Sequence, residues 1–157
     1  MAFPEPGLYR TTVAHPKAAD AIPADRLVYV GKRGEDGAFV VVPHYNEHNR
    51  WFWREPTTDV DDASWGESLV ALPAEGFYTL PRTLTFEGGG RWLENAVVQL
   101  GYDRAGQGIV FVAERRPVDT NALFFSDRGQ RIDDALLFAL RWAPILPVRD
   151  APGTATH

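Results

Sequence analysis

The sequence predicts a β-rich α+β fold made by tandem duplication of a strand–hairpin–strand–short-helix unit. Three observations lead there. Val28, Gly31, Val40 and Val42 recur without a gap as Val98, Gly101, Val110 and Val112. Blocks on either side recur in the same order, and each copy ends in an Asp-Asp pair before an apolar run. The two copies span about 7–72 and 76–142, within one pseudo-two-fold domain over 1–148. Their faces are expected to close one shared core, either barrel-like or as a strongly twisted antiparallel sheet.

The first element of each copy is a short strand, Gly7-Leu8-Tyr9 in one and Gly76-Phe77-Tyr78 in the other. The matched Tyr9 and Tyr78 read as structural residues with their hydroxyls at the surface. A long connection follows in the first copy, and His15 within it is expected to be exposed. Leu27-Val28-Tyr29-Val30 and Phe39-Val40-Val41-Val42 flank a glycine-dense charged turn, which predicts a hairpin. Val97-Val98-Gln99-Leu100 and Ile109-Val110-Phe111-Val112 predict its counterpart. Asn49-Arg50-Trp51-Phe52-Trp53 and Asn121-Ala122-Leu123-Phe124-Phe125 supply the next strands, with Leu123 and Phe125 expected in the core. Asp61-Asp62 and Asp133-Asp134 then suit helix starts, because Asp caps free N–H groups and opposes the helix's positive end. Glu87-Gly88-Gly89-Gly90 reads as a hairpin end, and 149–157 as a flexible tail.

Composition removes several function classes. There is no cysteine, so disulfides, thiol catalysis and thiolate-held metals are absent. The formal net charge of -5 disfavours nucleic acid and anionic membranes as partners. No apolar window is long enough to span a bilayer, and the start lacks the pattern of a secretory signal. A cytoplasmic protein without cofactor is expected. Nine Phe, five Tyr and five Trp provide material for a substantial core.

Features present in both copies belong to the scaffold, since both must fold; features in one copy are free to specialise. That rule singles out His44, Glu47, His48, Arg50, Trp51, Trp53 and Arg54 as a binding surface. Arg115 and Arg116 occupy the corresponding stretch of the second copy and are secondary candidates. Pro43 and the strand before it place His44–His48 in a loop, a common location for binding residues. His44, Glu47 and His48 do not have the His-Glu-x-x-His spacing of zinc hydrolases, and no metal site is expected. Trp51 and Trp53 share one face of a strand, with Phe52 on the other. They either pack in a core, as their counterparts do, or form a shallow aromatic surface flanked by Arg50 and Arg54. Trp and Arg are over-represented at interface hot spots.

The function expected from this pattern is non-catalytic recognition of another protein, or self-association, through the aromatic and arginine surface. The first alternative is a small-molecule binder or enzyme with a histidine general base, in a pocket between the halves. The second is a structural subunit of a larger assembly.

Overall fold

The β-branched runs pair as antiparallel ladders in the computed structural model, which describes residues 3–145. Strand accounts for 48% and helix for 8%, so the chain is β-rich. The expected tail at 149–157 lies outside the described residues.

The first half contains β1 (Gly7–Arg10), β2 (Leu27–Arg33), β3 (Gly37–Glu47), β4 (Arg50–Asp59), α1 (Ala63–Ser68) and β5 (Val70–Ala71). These strands form one sheet in the order β4-β3-β2-β1-β5. The second half contains β6 (Gly76–Thr79), β7 (Leu84–Thr85), β8 (Arg91–Trp92), β9 (Val97–Tyr102), β10 (Gly108–Arg116) and β11 (Asp119–Phe125). It continues with β12 (Gln130–Arg131), α2 (Asp134–Ala139) and β13 (Arg141–Trp142). Its sheet runs β11-β10-β9-β6-β13, with β12 pairing alongside β10 and β7-β8 forming a separate small hairpin.

Registers correspond as well as order. Val30 faces Val40 and Tyr29 faces Val41 in the first sheet, while Leu100 faces Val110 and Gln99 faces Phe111 in the second. Tyr9 faces Val28 and Ala71; Tyr78 faces Val98 and Trp142. The tyrosine hydroxyls donate to carbonyls four residues upstream, Tyr9 to Glu5 and Tyr78 to Ala74. Each helix is capped as its acidic start suggests: Asp62 accepts from the Trp65 N–H and Asp133 from the Leu136 N–H, both at 2.9 Å.

Neither sheet closes into a barrel. β4 and β5 are the edges of one sheet, β11 and β13 of the other. β5 and β13 are two residues long, too short a ladder to meet the far edge. The interior correspondingly divides into two clusters. Val28, Val30 and Val40 are covered by Ile22, Val60 and Trp65, all from the first half. The larger cluster joins Leu8, Leu27, Trp51 and Leu72 to Tyr78, Val98, Leu100, Val110 and Leu137, and so spans both halves.

Three local expectations are corrected. His15 is buried, not exposed, at 1% accessibility. Its Nδ1 accepts the Lys17 N–H at 3.1 Å, so the ring proton sits on Nε2, which donates to the Asp59 carbonyl at 3.1 Å. The ring also meets the Trp65 edge at 4.6 Å, so the long first connection is pinned onto α1 and β4. Leu123 is 61% exposed, because the β10–β11 hairpin runs out beyond the core. Finally, His44–Glu47 is strand, not loop: β3 continues through Pro43 to Glu47. Proline is tolerated there because the ladder with β4 is irregular, with register shifts at Val40/Val42 and Pro43/Tyr45, and β3 has no ladder partner in β2 beyond Val41.

Candidate functional site

The β3–β4 hairpin closes in two residues, His48 and Asn49, with φ of 53° and 66°. Two consecutive left-handed residues are the requirement of a tight hairpin turn, and Asn tolerates that region best among non-glycine residues. The tight turn carries the hairpin tip onto the second half of the chain. There Asn49 Nδ2 donates to Gln99 Oε1 at 2.8 Å and to the Ser126 carbonyl at 3.1 Å. Gly101 permits this approach: a Cβ at that position would lie 3.1 Å from the Asn49 carbonyl oxygen.

Next along β4, Trp51 is 8% exposed, and its Nε1–H donates to the Tyr102 carbonyl at 2.7 Å. Arg104 approaches from the second half. Its guanidinium donates to the Pro43 and His44 carbonyls at 3.0 and 2.9 Å and lies 4.9 Å from the Trp51 ring centroid. The Trp51 backbone N–H faces away from β3 on an edge strand, and the Glu75 carboxylate accepts from it at 3.1 Å. Trp51 is therefore a junction residue between the halves.

Beside this junction the two sheets leave a cleft of about 670 Å³. Buried Leu8, Trp51 and Leu100 form its floor, and half-buried Tyr29, Trp53 and Phe77 stand along it. The Tyr29 and Trp53 rings lie 5.7 Å apart. Exposed Glu47, His48 and Arg50 ring its mouth, and Gln99 adds an amide. Glu75 is half-buried on the second-half side. Burial pushes its carboxyl up to about 7, against the opposing pull of the Trp51 N–H and the nearby Arg50 charge.

The sequence candidates divide accordingly. Glu47, His48, Arg50, Trp51 and Trp53 line the cleft. His44 does not: it is exposed on β3 with its ring against Tyr45 at 5.3 Å. Arg54 lines a smaller hollow of about 250 Å³ with Arg26 and Arg104. Arg115 and Arg116 are exposed at the outer end of β10, where Arg116 lies 4.7 Å from the Phe124 ring centroid. Among the described residues, no three His, Asp or Glu side chains come together as a metal site.

Tyr29, Glu75, Phe77 and Gln99 were not singled out by the sequence. Glu75 carried a usable signal, because the residue before matched Gly76 is acidic whereas the residue before Gly7 is Pro6. The other three sit in strands that read as scaffold.

Searches of protein-family models, curated proteins and solved structures find no match to this chain.

Proposed function

We propose that this chain is a non-catalytic binding protein that receives a side chain of a protein partner in the cleft between its two sheets. The observation that carries the reading is the composition of that cleft. It has an apolar and aromatic interior beside Trp53, Tyr29 and Phe77, and a polar mouth at Glu47, His48 and Arg50. Apolar burial supplies affinity in such an arrangement, and the charged rim sets register. A second copy of this chain is a partner of the same class.

The corresponding strand orders and registers of the two sheets support a further reading, that the halves arose by tandem duplication. On that reading the cleft lies where the copies meet, and specialisation fell on the first-copy hairpin.

Selection of peptides from a displayed library on the immobilised chain tests the binding function. Selected peptides should shift the amide resonances of Tyr29, Trp53, Gly76 and Phe77. Shifts confined to other surfaces, or a selection that enriches nothing while the chain also stays monomeric in light scattering, would remove the cleft from consideration.

A further inference from the structure

The cleft holds two carboxylates, Glu47 and Glu75, against one guanidinium, Arg50. Arg50 is exposed at the mouth, with its guanidinium carbon 5.5 Å from the Phe52 ring centroid. Phe52 is in turn stacked on Tyr45 at 4.8 Å, so this cation already has an aromatic partner. Glu75 is half-buried in the cleft, with the Trp51 N–H on one oxygen and the Arg50 charge nearby, and burial outweighs the pull of both. A carboxylate there costs desolvation unless a cation joins it. Aromatic faces beside a carboxylate attract a cation through the ring quadrupole as well as through charge.

From this charge complementarity we propose that the cleft receives a lysine side chain of the partner, with its aliphatic stem along Tyr29, Trp53 and Phe77 and its ammonium group at Glu75. This deepens the binding function proposed above and rests on it.

Lysine fits better than arginine for a geometric reason. Among the described residues the Glu75 carboxylate makes one hydrogen bond, at Oε2 from the Trp51 N–H. A guanidinium prefers both oxygens of a carboxylate in a parallel fork, and here the fork would have to share Oε2 with the Trp51 N–H. An ammonium group is a point charge with three donors and needs only the second oxygen. The lysine stem is also the longer run of CH₂ groups to lay against aromatic rings. A neutral apolar side chain would fill the cleft but leave Glu75 with its desolvation uncompensated.

Proton linkage gives the proposal a second signature. Burial pushes the Glu75 carboxyl up to about 7, so the ammonium site gains its negative charge as pH rises through that value. Lysine binding should strengthen as pH rises through 7. The other charged or titratable groups around Glu75 are Glu47, His48 and Arg50 from the β3–β4 hairpin, Tyr29 from β2 and Tyr102 from β9. Glu75→Gln separates the site from these groups, since its amide oxygen still accepts from the Trp51 N–H.

The test compares N-acetyl-lysine methylamide with its neutral counterpart N-acetyl-norleucine methylamide. Each is titrated against the full chain at about pH 8, followed by tryptophan fluorescence and by the Tyr29, Trp53 and Phe77 resonances. The lysine compound should bind about tenfold more tightly, the scale of one desolvated cation–aromatic or charge-assisted contact. Glu75→Gln should erase that preference together with the pH dependence, while norleucine binding stays near wild type and the melting temperature at pH 8 does not fall below the wild-type value. Equal affinity for the two compounds would overturn the lysine assignment and leave the binding cleft standing. Absence of shifts at the cleft with either compound would overturn both. An arginine analogue that bound more tightly than lysine would also overturn the assignment.

Discussion

The Trp51 indole N–H donates to the Tyr102 carbonyl at 2.7 Å, joining the hairpin of one half to the last residue of β9 in the other. Around it stand the Asn49 bonds to Gln99 and Ser126 and the Arg104 bonds to Pro43 and His44. The contact lies beside the cleft and ties the two sheets together at that point. Trp51→Phe keeps most of the apolar area but leaves the Tyr102 carbonyl without this donor. A loss of about 1–3 kcal/mol is expected, from the penalty of an unsatisfied buried acceptor. Trp51→Ala should cost about 3–5 kcal/mol, because it also opens a cavity. Urea unfolding checks both; a Trp51→Phe protein as stable as wild type would show that the indole bond does not hold the halves together.

The helix caps should behave as an equivalent pair. Asp62→Ala and Asp133→Ala each remove the acceptor for one helix N–H, at a cost of about 0.5–2 kcal/mol. The two sites share no partner, so the double variant should lose close to the sum. Asp61→Ala is the contrast: that carboxylate is exposed beside Lys17, and its removal should leave thermal unfolding unchanged.

Gly106 is expected to be more sensitive than Gly34. Both have positive φ, +79° and +67°, so alanine is strained at either. A Cβ on Gly106 would in addition approach the Arg10 side chain, 3.1 Å from Cγ, whereas nothing lies within 4 Å at Gly34. Arg10 has little room to retreat, since it bonds the Gly106 carbonyl and both oxygens of Asp134. Gly34→Ala should cost about 1 kcal/mol, the scale of the left-handed conformation alone, and Gly106→Ala measurably more. Equal melting temperatures for the two variants would contradict the packing role given to Arg10.

Glu75 should impose a pH dependence on stability that its glutamine variant lacks. Its folded pKa of about 7 lies above the ordinary carboxylate range, so the native protein holds this proton longer than the unfolded chain. Below that range both states are protonated, and the group contributes nothing. As pH rises towards 7 the unfolded chain ionises first, and stability falls; above about 7 the deficit is constant. Glu75→Gln and wild type should therefore match near the acid end of the folded range. The variant should be the more stable at about pH 8. Parallel denaturation curves at both pH values would contradict a desolvated Glu75.

Much of the architecture was legible because it rests on short-range patterns. Val-rich runs around glycine-dense turns predicted the strands of both hairpins, and each Asp-Asp pair marked a helix start whose cap is now seen at Asp62 and Asp133. The β3–β4 turn was less legible, because His48-Asn49 lacks the glycine that usually announces left-handed residues. Pro43 was misleading for a related reason: it reads as a strand end, although an irregular ladder accommodates it. His15 and Leu123 were misplaced because polarity and apolarity are weak guides to burial where a loop folds back or a hairpin runs out.

The candidate site divides along the same line. Comparing the matched segments picked out the stretch containing Trp51 and Trp53, since Leu123 and Phe125 stand at the corresponding positions of the other segment. It did not reveal that Trp51 faces the other half of the chain, nor that Tyr29, Glu75, Phe77 and Gln99 complete a cleft around it.

From the amino-acid order alone came the strand runs, the helix starts, the absence of thiol chemistry and the stretch where the matched segments differ. Those properties depend on side-chain pattern within a few residues, or on composition. Which faces meet, whether the sheets close, and what lies beside Trp51 were decided only by the tertiary structure. They depend on contacts between residues far apart in the chain, such as Asn49 with Gln99 and Trp51 with Tyr102, whose pairing leaves no local periodicity.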